Sequence, residues 1–374
     1  MKNIVEGSKA VAEAVKLCEP GVVAVYPITP QTHIAEEVMQ MIANGDMDAI
    51  SINVESEHSA MAACIGSQAT GVRAYTCTSS QGLAYMHELL FVASGLRLPI
   101  VMTVVNRSLS APLNIWNDQQ DSISERDAGW IQLYVENSQE AFDTQIQAFK
   151  IAEQTSLPVM VCMDGFVISH TFENVSYIDQ KAVRKFLPPY KPDVTLNPSK
   201  PVSIGTLATP QYFMQFRKDQ HDAVEASKDT IKSVHREYAA LSKRSYGNGL
   251  IEKVGLEGKK FALITLGSVT GTARETLPKD FGIIKVKAMR PFPFEEIINA
   301  CKGLTSVGVI EKDISPGLEG ALYNEVKACL YGSGCTAKLS GFIAGLGGKD
   351  ITHDHMESVF EKIRQGKTGI EWMM

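Results

Sequence analysis

The sequence has few of the features that mark secreted, membrane or nucleic-acid-binding proteins. Its seven cysteines (Cys18, Cys64, Cys77, Cys162, Cys301, Cys329 and Cys335) are odd in number, widely spaced and never arranged C-x-x-C. That pattern excludes a disulfide framework, a zinc ribbon and an iron–sulfur cluster held by this chain alone. Most are flanked by apolar residues and read as buried, inert thiols. Cys77 lies one loop from the polar segments described below and is the one to watch. No basic run occurs and the formal net charge is −6, so nothing calls for nucleic acid as a partner. No apolar stretch is long enough to span a bilayer, and Met1-Lys2-Asn3-Ile4-Val5-Glu6 offers no signal core. A cytoplasmic protein without a membrane partner is expected. No two histidines have metal-ligand spacing, so no metal site is expected on this chain. Hydrophobic content of 44% and charge of 21% are ordinary for a globular protein, and 374 residues suit two or three domains.

Short apolar runs alternate with helical patterns in the first half. Strands are expected at Val22–Val25, Ala49–Val54, Arg73–Cys77, Ile100–Val105 and Val159–Cys162. Between Pro30 and Ala43 the residues Ile34, Val38 and Ile42 recur at four-residue spacing, one helical stripe. Thr29 suits its N-cap and Pro30 its first position. Glu57–Gly71 is rich in Ala, Gly and Ser, which lets a helix approach its sheet closely, and Gln139–Gln154 forms another helix. Such alternation predicts an α/β fold with a doubly wound parallel sheet over residues 1–185. From Phe186 the composition shifts to a Pro-rich stretch, then to a charged helical run from Ala223 to Lys243. Residues 186–255 therefore read as an extended connector plus a solvated helix covering a neighbouring domain or subunit. The alternation resumes in a smaller α/β domain at 256–374, with strands expected at Phe261–Leu266, Ile283–Val286, Val307–Ile310 and Thr336–Leu339.

Three polar loops follow strands in the first half, where an open α/β sheet places its ligands. They are Tyr26-Pro27-Ile28-Thr29-Pro30, Asn53-Val54-Glu55-Ser56-Glu57-His58 and Thr78-Ser79-Ser80-Gln81-Gly82. Glu55 and Glu57 compete for one role, and the run Glu55-Ser56-Glu57-His58 is read as offering one acid to the site and one elsewhere. As an isolated carboxylate at a helix start, Glu57 could equally serve the helix dipole alone. Arg107 follows an apolar strand and carries the fork that grips a carboxylate; alone, it reads as an exposed strand-end residue. Asn114–Asp121 spends a Trp and several amides on one loop and reads as a lid. Gly267-Ser268-Val269-Thr270-Gly271 lacks a full phosphate-binding pattern and reads as a tight turn into a helix.

Taken in order, these segments resemble the α subunit of 2-oxoacid:ferredoxin oxidoreductases, most closely the multi-subunit pyruvate type. The residues carrying the resemblance are Tyr26–Pro30, Glu55–His58, Thr78–Leu83, Asn106–Pro112, Asn114–Asp121 and Leu157–Phe166. In the second half they are Gly267-Ser268, Arg290–Pro293 and Val309–Ser315. The resemblance implies a pyrimidine-type thiamine-diphosphate domain followed by a transketolase C-terminal-like domain. It implies that Glu57 hydrogen-bonds the aminopyrimidine ring nitrogen, with Tyr26, Pro27, Ile28, Ser80 and Gln81 along the cofactor. Thr29 and Arg107 would hold the substrate carboxylate, with Asn117 and Asp118 beside the substrate. The same resemblance implies β, γ and ferredoxin-like δ subunits. The cofactor's diphosphate, Mg²⁺ and [4Fe-4S] clusters would lie on those partners. Pyruvate, coenzyme A and ferredoxin are the expected reactants. The alternatives are an oxalate or branched-chain oxoacid enzyme, and a non-catalytic partner of such a complex.

Overall fold

Five of the first-half strands, Val22–Val25, Ala74–Thr78, Val101–Asn106, Ile131–Tyr134 and Val159–Asp164, are buried along their whole length. Strands that bury both faces need helices on both sides, the situation of a parallel sheet. The computed structural model, which describes residues 2–374, shows that arrangement. Across the first sheet the order is Ala288–Arg290, Ile131–Tyr134, Val159–Asp164, Val101–Asn106, Ala74–Thr78, Val22–Val25 and Ile50–Asn53. All neighbours are parallel except Ala288–Arg290, which comes from the second half of the chain and runs antiparallel to Ile131–Tyr134.

Alternate residues of these strands enter two different cores. Val23, Val25, Tyr75, Val101 and Val105 pack with the helices Gly7–Leu17, Thr32–Ala43 and Ser138–Thr155. Ala24, Ala74, Met102 and Val104 face the other side, with Ala60 and Met61 of the helix Glu57–Ala69. This second core runs without a break into Ile264, Val286, Met289 and Ile297 of the second half. The two halves therefore share one apolar interface.

The second sheet has the order Gly369–Trp372, Lys338–Ile343, Ser306–Glu311, Phe261–Leu266, Phe281–Val286, Ile251–Val254. It is parallel apart from its antiparallel edge Ile251–Val254, which precedes residue 256. A buried ionic cluster also binds the halves. Glu140, fully buried, meets Lys285 Nζ at 2.6 Å and also contacts Lys287, and Glu136 takes Lys285 at 2.8 Å and Arg274 at 2.8 Å. The two lysines hold the Glu140 carboxyl down at about 2 against the opposing effect of burial.

The charged helix starts at Pro210, well before Ala223, and ends at Ser242. Its first turns carry exposed Tyr212, Phe213, Met214 and Phe216, so the charge pattern marks only the later turns. There Ile231, Val234 and Tyr238 are buried and pack against the Ser138–Thr155 helix. Among the described residues, no helix is long and apolar enough to cross a membrane.

Candidate active site

Because the central strands are parallel, the loops after Val25, Asn53, Thr78, Asn106 and Asp164 all emerge at one sheet edge. From Val22–Val25 the chain moves to Ile50–Asn53 on one side, then crosses back to Ala74–Thr78 on the other. This reversal is a topological switch point, where open α/β sheets form their ligand crevice. The loops flanking it are Tyr26–Pro30 and Ser79–Gly82.

Tyr26, Pro27 and Thr29 are exposed, and Ile28 is half-buried. The helix that follows begins at Thr32 with Gln31 at the cap, so Thr29 does not cap it and Pro30 is not its first residue. The reason is Gln31, which is fully buried. Its amide oxygen accepts from Ile28 N at 3.1 Å, and its Nε2 donates to Cys77 O at 3.1 Å. The turn is closed by that side chain, which leaves the Thr29 hydroxyl free. Cys77 is buried beneath it, and burial pushes its thiol up to about 12, so it is inert.

Ser56 caps the next helix through its hydroxyl, which accepts from Ser59 N at 3.2 Å, and Glu57 is the first helical residue. The two acids separate because the helix begins between them: Glu55 lies in the bend before it and Glu57 is its first residue. Glu55 is exposed and accepts from the Ser59 hydroxyl. Glu57 is buried, at 8% exposure, and among the described residues its carboxylate has no hydrogen-bond donor and no ion-pair partner. A carboxylate serving only the helix dipole would sit in water. The Glu57 oxygens keep access to the crevice, where a ligand can supply the donor. Gly82 faces it: a Cβ there would lie 2.6 Å from both Glu57 Oε1 and Thr78 Oγ1. The buried hydroxyls Thr78 Oγ1 and Ser79 Oγ likewise have no partner. Glu57 and Thr78 beside a glycine, with the unpartnered Ser79 hydroxyl next in the chain, fit a flat heterocycle with ring nitrogens and an amino group, such as an aminopyrimidine.

Arg107 is buried at the end of Val101–Asn106. Its guanidinium donates to Thr29 O at 2.9 Å and Asn114 O at 3.1 Å. Among the described residues no carboxylate pairs with it, and two of its three nitrogens carry those bonds while Nη2 has none. The fork thus fastens the Thr29 turn and keeps donors for an acid. Asp121, which the sequence did not single out, organises the rest. It accepts from Ser80 N at 2.9 Å and Arg107 N at 3.0 Å on one oxygen, and from Asn106 Nδ2 and Ser122 N at 2.8 Å each on the other. Ser80 is held at φ +49°, a left-handed backbone conformation uncommon for serine. Its hydroxyl donates to Ser108 O and lies 2.6 Å from the half-buried Gln81 amide oxygen.

Asn114–Asp121 is not a lid. Asn117, Asp118, Gln119 and Asp121 are buried, and the segment is wedged against the second half of the chain. Gln119 N donates to Lys312 O at 2.9 Å, and Asn114 Nδ2 donates to Gly347 O at 3.0 Å. Asn117 Oδ1 accepts from Lys312 Nζ at 3.0 Å; Asp118 accepts from Gly347 N at 3.1 Å and Gln120 N at 3.1 Å. Their polar ends are thus committed to the interface between the halves. Burial raises Asp118 to about 6. The Gly267 turn, at φ +74°, belongs to the same wedge: Ser268 N donates to Asp164 at 3.0 Å, and Lys312 pairs with Asp164 at 3.0 Å. Its donors are taken by that carboxylate, in keeping with a tight turn. A buried Asp has no local sequence signature, which is why Asp121 and Asp164 escape a reading by pattern.

Comparison with known proteins agrees with this geometry. Residues 13–236 match the sequence family described as "Pyruvate flavodoxin/ferredoxin oxidoreductase, thiamine diP-bdg", and residues 260–356 match "Pyruvate:ferredoxin oxidoreductase core domain II". The chain is 46% identical to pyruvate synthase subunit PorA of Methanocaldococcus jannaschii, over 98% of this chain and 95% of that protein. It is 43% identical to ketoisovalerate oxidoreductase subunit VorA of Pyrococcus abyssi, over 98% of this chain and 94% of that one. Among solved structures it superposes on a 2-oxoglutarate:ferredoxin oxidoreductase from Magnetococcus marinus with TM-score 0.76 and 19% identity. That match covers 97% of this chain and 65% of the solved one, and it establishes the fold. A switch-point crevice with an undonated buried carboxylate, in a chain matched at this length and identity, makes it a member of the pyruvate:ferredoxin oxidoreductase family.

Proposed function

We propose that this chain is the α subunit of a pyruvate:ferredoxin oxidoreductase and forms the pyrimidine-side half of its thiamine-diphosphate site. The reaction is pyruvate, coenzyme A and two oxidised ferredoxins giving acetyl-CoA, CO₂, two reduced ferredoxins and a proton. The observation that carries this reading is the buried Glu57 carboxylate without a donor, facing Gly82 at the switch point. When bound, thiamine diphosphate supplies the electron sink for decarboxylation.

The residues of this chain bind and orient. Glu57 offers its carboxylate oxygen to the aminopyrimidine ring nitrogen and orients the ring. Tyr26, Pro27 and Ile28 line one wall, and Ser80 and Gln81 the other. Arg107 holds the oxoacid carboxylate with the donors it does not spend on Thr29 and Asn114, and the Thr29 hydroxyl faces the same acid. That carboxylate leaves as CO₂, so binding that weakens toward the transition state suits the step. Asn117 and Asp118 act from behind, by fixing the segment that carries Asp121. Arg107 is a cation with no carboxylate partner among the described residues, which matches a small monocarboxylate and favours pyruvate over oxalate or other dianions.

Partner chains complete the site. We assign the diphosphate, its Mg²⁺ and the [4Fe-4S] clusters to β and ferredoxin-like δ subunits, with a γ subunit in the same assembly. A reaction that draws on coenzyme A and ferredoxin belongs in the cytoplasm. The test is Glu57→Gln in the purified complex, which keeps the shape and removes the charge. Turnover with pyruvate should fall roughly 10²–10⁴-fold, the range of one acid–base group, while the complex stays assembled. Undiminished turnover refutes the role of Glu57. A panel of pyruvate, 3-methyl-2-oxobutanoate, 2-oxoglutarate and oxalate, scored by CO₂ release, decides the substrate; preference for the branched acid would move this chain to the ketoisovalerate group.

A further inference from the structure

Three residues far apart in sequence meet on the rim of the first domain. Glu6 ends the strand Lys2–Glu6, and His33 lies in the first turn of the Thr32–Ala43 helix. His170 lies in the loop after Val159–Asp164, before the next strand. One ligand atom from each falls within 4.8 Å of the others. Glu6 Oε1 is 2.7 Å from His33 Nδ1 and 4.0 Å from His170 Nδ1, and the two imidazole rings are 4.4 Å apart with a tilt of 32°. Among the described residues, Glu6 has these two histidines as its only ion-pair partners.

We propose that Glu6, His33 and His170 bind one divalent transition metal of the zinc class. Two imidazoles and one carboxylate are a donor set that suits zinc and its neighbours. A tetrahedral ion with bonds of about 2.0–2.1 Å holds its ligand atoms about 3.3 Å apart. The observed 2.7–4.8 Å spread brackets that value. Rotation of partly exposed side chains closes the difference, because the backbone already presents all three to one point. The surroundings favour a cation. Glu36 lies three residues after His33 on the same helix face and lines the same open depression as Glu6 and His33. It has no partner among the described residues, and it or a water fills the fourth position. The nearby ammonium of Lys9 is paired with Glu37 at 3.1 Å. The His170 Nδ1 is held by a neighbouring hydroxyl, and that bond is released when this nitrogen turns to the ion. Ser169 Oγ lies 2.7 Å from its Nδ1 and accepts from Phe166 N at 2.9 Å, and the Phe166 ring is 4.8 Å away.

Such an ion would fasten the N-terminal strand, the helix that follows the Tyr26–Pro30 turn, and the loop beyond Asp164. Its role is mechanical and independent of the oxoacid chemistry. The test is equilibrium dialysis of chelator-treated full-length protein against zinc, with metal counted by mass spectrometry after digestion, alongside thermal midpoints with and without zinc. One zinc per chain is expected, with a zinc-dependent rise in midpoint. His33→Gln and His170→Gln should each weaken binding at least about 100-fold, more than loss of an outer partner does, and abolish the rise. Both should keep the zinc-free midpoint near that of the unmodified chain. His221→Ala, an exposed histidine on the long helix, should change nothing. Equal zinc retention by the His33 and His170 variants, or no zinc held by the unmodified chain, overturns the proposal.

Discussion

Replacing Gly82 by Ala is the sharpest probe of the Glu57 pocket, because it adds one methyl group and no chemistry. That methyl would sit 2.6 Å from Glu57 Oε1 and 2.8 Å from Glu57 Cγ. Ordinary contact begins near 3.4 Å, so the carboxylate must retreat by about 0.8 Å. A displacement of about 1 Å in a catalytic group lowers rates roughly 10²-fold. The effect on folding is much smaller. Overpacking costs about 1–3 kcal/mol, and Gly82 lies inside the helix Ser80–Tyr85, where Ala returns about 0.5–1 kcal/mol. Turnover should therefore fall about 100-fold in a complex that melts within a few degrees of the parent. Gly66→Ala is the control. It lies in the Glu57–Ala69 helix with nothing within 4 Å of its Cβ position. It should keep full activity and gain about 0.5–1 kcal/mol. Steady-state kinetics of both variants beside calorimetry make the comparison. Full activity in Gly82→Ala refutes the placement of catalysis at Glu57, and so does an activity loss shared by Gly66→Ala.

Other perturbations reach the rest of the site and its support. Arg107→Lys removes the fork while keeping charge, and should raise KM for the oxoacid about 10–100-fold, as expected for one charged hydrogen bond of about 1.5–3 kcal/mol. The KM for coenzyme A should barely move; a larger change for coenzyme A contradicts carboxylate binding. Asp118 carries a pH signature. Burial raises its folded-state value to about 6, above the ordinary unfolded range near 4. Between those values the folded chain binds the extra proton, so this group's contribution to stability falls as pH rises through that window, by on the order of 3 kcal/mol, and is flat above it. Asp118→Asn should remove that slope from denaturation midpoints taken between pH 4 and 7, and parallel curves would refute it. Lys285→Ala strands Glu140 with Lys287 alone and should destabilise by about 3–5 kcal/mol in urea titration.

Much of this was legible in the sequence because it is written in local periodicity. Val22–Val25, Val101–Asn106 and Val159–Asp164 appear as apolar runs, and the Glu57 helix appears as a small-residue stripe. The separation of Glu55 from Glu57 was expected, but its cause is the helix start at Glu57, since strand alternation would put residues two apart on one face. What escaped is set by distant partners. Ile131–Tyr134 contains Gln132, and its burial depends on Ala288–Arg290 arriving from the other half. Thr29 has the composition of a cap, but Gln31 reaches across to Cys77 and closes the turn first. Asn114–Asp121 has the composition of a mobile loop, yet its amides are spent on Lys312 and Gly347, which lie far along the chain.

That last segment explains why the second half of the chain matters to a site it does not line. Lys312 and Gly347 hold Asn117, Asp118 and Asn114. The same short segment carries Asp121, whose two oxygens fix Ser80 N, Arg107 N and Asn106. Arg107 in turn holds the Thr29 carbonyl. A continuous chain of hydrogen bonds thus runs from the second sheet to both loops at the switch point. The supports of the site come from two sheets that share one apolar core. A shift of the second half against the first would move Ser80, Arg107 and Thr29 together, and would leave Glu57, which hangs from its own helix, in place.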